Sequence, residues 1–297
     1  MPATIFDYRQ SLTLLRSEIE ALNRRIAALL PAQWHQESHC PGWSVADLVM
    51  HVVRNGEAFL QFSQRILADD DTPVCGFGYP DPREAAVAGP EGAPRDVAIR
   101  NLGPRGCAAL QAQHLEDYSA LLSGLSEMEQ RQTGLWAGMC QRTAPWGCRQ
   151  RLAEVAYHHW DLRCSLGEEA ALDAVVAREV LAYRLEPSHS PLFRWRPADG
   201  AAVQTVRLRC TTDGTAWRIS VSADAVPAVE LGWEVPPLPR PGRRLEPEAT
   251  GPTDVELAAD IGGLTLAISG RGQLDGPHCQ LAGPPEAEQR FRAAFTG

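Results

Sequence analysis

Three residues of this chain have the types and spacing to hold a divalent metal ion: His51 and, far downstream, Glu154 and His158. Glu154 and His158 stand four residues apart. On a helix this puts an acid and an imidazole on one face, about 6 Å apart along the axis. Two imidazoles and one carboxylate, with a fourth position left open, form the ligand set of a catalytic zinc or a similar ion. A lone inward histidine is commonly a core residue, and Glu-x-x-x-His arises on any polar helix face. Neither fragment alone therefore decides for a metal.

The elements that must position these residues are readable separately. The Pro41-Gly42 turn delivers the chain to Ser44, and Asp47 three residues later resembles a capping box with Asp in the usual Glu position. Leu48, Val52, Phe59, Phe62 and Ile66 then recur at helical steps and predict a helix from about Ser44 to Leu67. His51 lies about 60° from Leu48 and borders the buried stripe. Val155 and Leu162 bracket His158 in the same way, so it points inward.

The turn Pro41-Gly42-Trp43-Ser44, the segment Asp47-Leu48-Val49-Met50-His51 and the segment Glu154-Val155-Ala156-Tyr157-His158-His159-Trp160-Asp161-Leu162 resemble, in this order, the mycothiol-dependent maleylpyruvate isomerase family. That family belongs to the DinB-like metal-binding four-helix bundles. The resemblance covers roughly residues 8 to 185 and extends more weakly through a C-terminal domain. It implies that His51, Glu154 and His158 bind a divalent metal, zinc foremost, which activates a low-molecular-weight thiol, mycothiol. It speaks to the metal more than to the substrate.

All 28 residues counted as Lys+Arg are Arg, a bias that follows codons rich in G and C and fits an actinobacterial source, where mycothiol is the common thiol. A net charge of -9 supplies no basic face for nucleic acid. No stretch of about eighteen uncharged apolar residues is present to span a bilayer. The amphipathic start, with Asp7, Arg9, Arg16, Glu18 and Glu20, is unlike a signal peptide, so the cytoplasm is the expected compartment. Eight cysteines without a Cys-x-x-Cys pair read as reduced, mostly buried thiols. Cys40, beside the turn, and Cys148 are the two placed to face a pocket.

The expected architecture is an α+β two-domain chain. A DinB-like four-helix bundle occupies residues 1–186, and a smaller α/β, sterol-carrier-like domain occupies residues 202–297. Leu12, Leu15, Ile19, Leu22, Ile26 and Leu29 predict the first bundle helix, which Pro31 ends. Residues 69 to 103 read as a long Gly- and Pro-rich loop able to cover a pocket. A third helix is predicted from about Gly106 to Leu125. A loop with Trp136, Pro145 and Trp146 leads to a fourth helix at about Cys148 to Leu166, and Leu172 to Leu185 is one more. Residues 187–201 read as a linker. Beyond it come two strands around the Asp213-Gly214 turn, a Pro-rich insertion from Pro236 to Pro252, a capped helix at Thr253 to Ile261, a strand at Leu264 to Ile268 and a closing helix at Pro284 to Phe295.

Around the ligand set, Asp161 is placed either to accept a hydrogen bond from a ligand imidazole or to form a surface ion pair. Arg54 and Arg151 are candidates for gripping a substrate carboxylate in a charge-assisted fork, against the commoner fate of a solvated arginine. His159 points about 100° away from His158 on the helix. Trp43 reads as a wedge packing the turn. The function expected is that of a metal-dependent enzyme, an isomerase or thiol transferase, whose small-molecule substrate is an electrophile and whose cosubstrate is a thiol. Two alternatives stand: a thiol-independent Lewis-acid lyase, cyclase or hydrolase of a biosynthetic pathway, and a non-catalytic metal- or ligand-binding protein. The want of a DNA-reading motif counts against a transcriptional role.

Overall fold

Apolar residues at helical spacing and Gly and Pro punctuation produce a helical N-terminal unit followed by a unit built on a sheet. The structure is a computed structural model described over residues 8–70, 72, 74, 92–136, 140–185, 204–221, 245–247, 253–272, 274 and 279–295. It divides into two compact units, Met1–Ala170 and Ala171–Gly297.

In the first unit, α1 (Tyr8–Ala28) buries Leu15, Ile19, Leu22 and Ile26 completely, and a short α2 (Pro31–His35) follows. The chain then turns at Gly42, whose φ of 78° suits a residue without a Cβ. Ser44 caps α3 (Val45–Leu67): its hydroxyl accepts from the Asp47 N–H at 3.2 Å, while the Asp47 carboxylate accepts from the Ser44 N–H at 3.1 Å. The capping box read from the sequence is therefore formed.

Part of the expected loop is helical: α4 spans Gly92–Asn101 and α5 spans Gly103–Ser123. Residues 75–91 of that loop, and with them most of the expected cover, lie outside the described residues. After α5 comes a hairpin that the sequence reading did not contain, with β1 (Thr133–Trp136) antiparallel to β2 (Cys140–Thr143). It stacks Trp136 on Phe59, ring centroids 4.4 Å apart. The next helix, α6 (Ala144–Ser165), starts earlier than predicted. Thr143 accepts from the Trp146 N–H at 3.2 Å, and Pro145 sits in the first turn, where no intrahelical N–H is required. Helix α1 packs on α5 and α6, and α3 packs on the same two, so α3 and α6 meet in the interior.

The second unit begins with α7 (Ala174–Leu185). The sequence reading grouped this helix with the first domain through residue 186. Its Ala177, Leu181 and Leu185 instead belong to the core that also contains Leu208, Leu257 and Phe291. The sheet consists of β3 (Gln204–Cys210), β4 (Ala216–Val221), β5 (Leu245–Pro247), β6 (Val255–Ala259) and β7 (Cys279–Ala282), in the order β5-β4-β3-β6-β7. Only the β3–β6 pair within this sheet is parallel. Helices α8 (Ile261–Ile268) and α9 (Pro285–Phe295) complete the unit.

Two assignments are exchanged relative to the sequence reading. The helix expected at 253–261 is strand β6, and the strand expected at 264–268 is helix α8. Val255, Leu257, Ala258 and Ala259 are buried because β6 lies between β3 and β7, and Asp260 begins the helix by accepting the Gly263 N–H at 2.7 Å. The predicted linker at 187–201 lies outside the described residues, as does the Pro-rich insertion apart from β5. No helix among the described residues is long and apolar enough to cross a membrane.

Candidate metal centre

Where α3 and α6 face each other, the structure brings His51, Glu154 and His158 together, with one ligand atom from each lying within 4.8 Å of the others. The imidazole centroids are 4.9 Å apart at 73°. Nε2 of His158 is 3.7 Å from the Glu154 carboxylate, too far for a hydrogen bond and suited to two ligands sharing an ion. His51 and His158 are buried and Glu154 is half-buried, so the donors converge in an interior that retains access on the carboxylate side.

The surroundings fix the geometry of these donors. Asp161, one turn beyond His158 and itself buried, accepts a hydrogen bond from Nδ1 of His158 at 3.0 Å. The neutral ring consequently carries its lone pair on Nε2, the nitrogen that faces Glu154. Of the two roles open to Asp161 in the sequence, burial excludes the surface ion pair. Gln150 donates from Nε2 to Oε1 of Glu154 at 2.8 Å and leaves Oε2 turned toward His158.

Trp43 does more than pack its turn: its ring lies 5.0 Å from that of His51 and is stacked 6.1 Å from that of His158. The indole thus covers both imidazoles from the Pro-Gly turn. Cys40 also reaches this region, with Sγ 3.4 Å from Asp161 Oδ2, and Cys40, His158 and Asp161 form a second group of close donor atoms. Cys148, the other cysteine expected near the pocket, is buried in the core.

The remaining candidates separate. Arg54 is engaged by its own chain, with Nε donating to Asp96 at 2.9 Å and Nη1 to Glu57. The donors expected to form a substrate fork are thus occupied by carboxylates of the same unit. The reason is α4, unrecognised in the sequence, which carries Asp96 onto α3. Arg151 lies one turn before Glu154 but is directed into the core, 1% exposed. His159, facing away as its helical phase requires, meets Glu18 of α1 at 2.6 Å. Sequence reasoning missed Gln150, although its i,i+4 relation to Glu154 was available, and it missed the reach of Trp43, which nothing local reveals.

The donor set fits a divalent ion: two imidazole nitrogens and one carboxylate converge, one ring is held in the required tautomer, and the carboxylate is oriented by an amide. A family model described as the mycothiol maleylpyruvate isomerase N-terminal domain matches residues 15–163. Among solved structures, the chain is similar to the crystal structure of the mycothiol-dependent maleylpyruvate isomerase, at 18% identity over 93% of each chain with a TM-score of 0.60. The crystal structure of a histidine-to-alanine mutant of that enzyme matches equally well. At this identity the likeness establishes the fold, helical N-terminal region and small sheets together. A comparison with curated proteins gives no match.

Proposed function

Since the chain belongs to the family of the mycothiol maleylpyruvate isomerase N-terminal domain, we propose that it is an enzyme in which His51, Glu154 and His158 hold a divalent ion, zinc foremost, and a low-molecular-weight thiol adds to an electrophilic small molecule. Mycothiol is the thiol this family points to. The observation that supports the reading is the convergence of three donor atoms within 4.8 Å on facing helices, backed by Asp161 and Gln150. A divalent ion bound there supplies Lewis acidity, which lowers the pKa of a thiol ligand and favours the thiolate.

The chain's own residues have definite tasks in this reading. Asp161 keeps the proton of His158 on Nδ1, so that Nε2 remains a donor. Gln150 presents one oxygen of Glu154 inward. Trp43 lies over the imidazoles and keeps bulk water from their ring faces. A thiolate that adds to an unsaturated carbon and later leaves yields an isomer, and one that stays yields a thiol conjugate. We assign this chemistry to the first unit as a DinB-like bundle acting in the cytoplasm, with a sterol-carrier-like second unit that contributes no metal ligand.

Elemental analysis of protein purified without chelator tests the metal. The expectation is close to one divalent ion per chain in the wild type and most of it lost in His51→Ala and His158→Ala. Folded variants that keep a full complement of metal would place the site elsewhere. Cobalt-substituted protein tests the thiol, because thiolate ligation produces an intense charge-transfer absorption. If mycothiol leaves that spectrum unchanged while substrate is still turned over, the thiol-independent Lewis-acid reading replaces this one.

A further inference from the structure

Arg151 stands three positions before Glu154 on α6, about 4.5 Å away along the helix axis, and none of its three guanidinium nitrogens has a hydrogen-bond partner among the described residues. Buried arginines ordinarily face carboxylates, as Arg54 faces Asp96 and Glu57 in this same unit. Arg151 instead lies over the ring of Tyr118, 5.0 Å from its centroid. It is also pressed against Gly56 of α3, where an added Cβ would come within 2.7 Å of Nη2. The missing side chain at Gly56 is what lets the guanidinium lie there.

Burial lowers the pKa of Arg151 to about 10, which leaves it a cation at neutral pH. The helix α5, which packs on α3, carries two further buried polar side chains with unsatisfied atoms, although the His114 ring also has a hydrogen bond to the Val53 backbone. His114 Nδ1 is 3.6 Å from the same Cβ position on Gly56, and it is buried with no partner among the described residues. Gln111, one turn earlier on the same face of α5, has neither amide atom satisfied among them. One helix thus contributes a buried cation, and another contributes an amide and an imidazole. A fully desolvated charge with unused donors is costly unless an anion or similar group completes it.

We propose that Arg151, with Gln111 and His114, forms an anion-binding site inside the first unit and that its ligand is a small carboxylate. One guanidinium charge balances one carboxylate charge and matches it in a planar, two-pronged geometry, whereas a phosphate dianion would leave a negative charge buried. The carboxylate has two possible sources: the acid group of the electrophile itself, in which case the inference rests on the proposed function, or a free monocarboxylate retained in the core.

The experiment follows thermal unfolding of full-length, metal-free, exhaustively dialysed protein against propionate and its uncharged counterpart propionamide at constant ionic strength. Propionate is expected to raise Tm saturably and propionamide to leave it unchanged. Arg151→Met, with an apolar residue of similar length in the core, is expected to lose the response. Gly56→Ala, which crowds Nη2, is expected to weaken propionate binding about tenfold or more and serves as the test if the first variant fails to fold. Absence of a propionate response in the wild type, or an undiminished one in a folded Arg151→Met protein, overturns the proposal. The source is separated with metal-loaded protein and mycothiol by measuring thiol adducts of acrylate and acrylamide. A preference for acrylate that vanishes in Arg151→Met identifies the substrate's acid group, and a preference that survives identifies a retained ion. Failure of both alkenes in the wild type counts against the thiol chemistry, and the propionate titration still decides the site.

Discussion

Among single residues, Asp161 has the clearest assignment. It is 1% exposed and accepts from Nδ1 of His158, so it orients the ring and keeps the lone pair on Nε2. Asp161→Asn keeps the volume and removes the charge. The expected result is a folded protein whose affinity for zinc, measured by competition with a chelator, falls about 10- to 100-fold. Unchanged affinity would remove Asp161 from the site. His114 gives a second prediction at this scale. Burial is the largest influence on it and lowers its pKa below 6.5, while Glu57 opposes this and Arg151 and Arg95 reinforce it. The folded chain therefore binds fewer protons than the unfolded chain between the lowered value and 6.5. Stability is lost as pH falls through that window and is fully present above it. His114→Gln should make the decline of unfolding free energy below pH 6.5 shallower than in the wild type, as read from urea melts at a series of pH values.

Among elements, the two helices that carry the donors are each started by a side-chain cap, Ser44 for α3 and Thr143 for α6. Caps set where a helix begins and so fix the phase of every residue after it. Ser44→Ala removes the acceptor of the Asp47 N–H and the hydroxyl that donates to Asp47 Oδ2 at 2.7 Å. Arg100 still holds the other Asp47 oxygen at 2.7 Å, which limits the damage. The expected cost is about 1 kcal/mol in chemical denaturation, with metal content per folded chain unchanged because His51 lies almost two turns further in. A loss of metal larger than the loss of stability would show that the cap also positions the site.

For the whole molecule, all three proposed ligands lie in the unit ending at Ala170, while α7 supplies core to the other unit. A chain ended at Ala170 is expected to remain folded and to bind one divalent ion. A chain ended at Leu185 should bind the same ion and aggregate more readily, because Ala177, Leu181 and Leu185 would then present an apolar face without the partners they have in the second unit. Light scattering and metal analysis of the two fragments check this. Equal solubility would mean that α7 does not depend on the second unit.

The sequence by itself determined the features that depend on neighbours within one helix: the Ser44 cap, the i,i+4 spacing of Glu154 and His158, and the inward phase of His51. It also carried enough of the Pro41-Gly42-Trp43-Ser44 and Glu154-to-Leu162 patterns to point to the family. What only the tertiary structure decided depends on partners far along the chain. Val255 to Ala259 is a short apolar run that local pattern cannot assign; pairing with β3 on one side and β7 on the other makes it a strand. Arg54 and Arg151 look equivalent in sequence, each three residues from a proposed ligand. Asp96 of α4 neutralises the first, while packing against Gly56 and Tyr118 leaves the second a buried cation without a carboxylate among the described residues. Charge pairing and strand pairing are contacts between distant segments, and the energy that selects them is available only once the chain has folded.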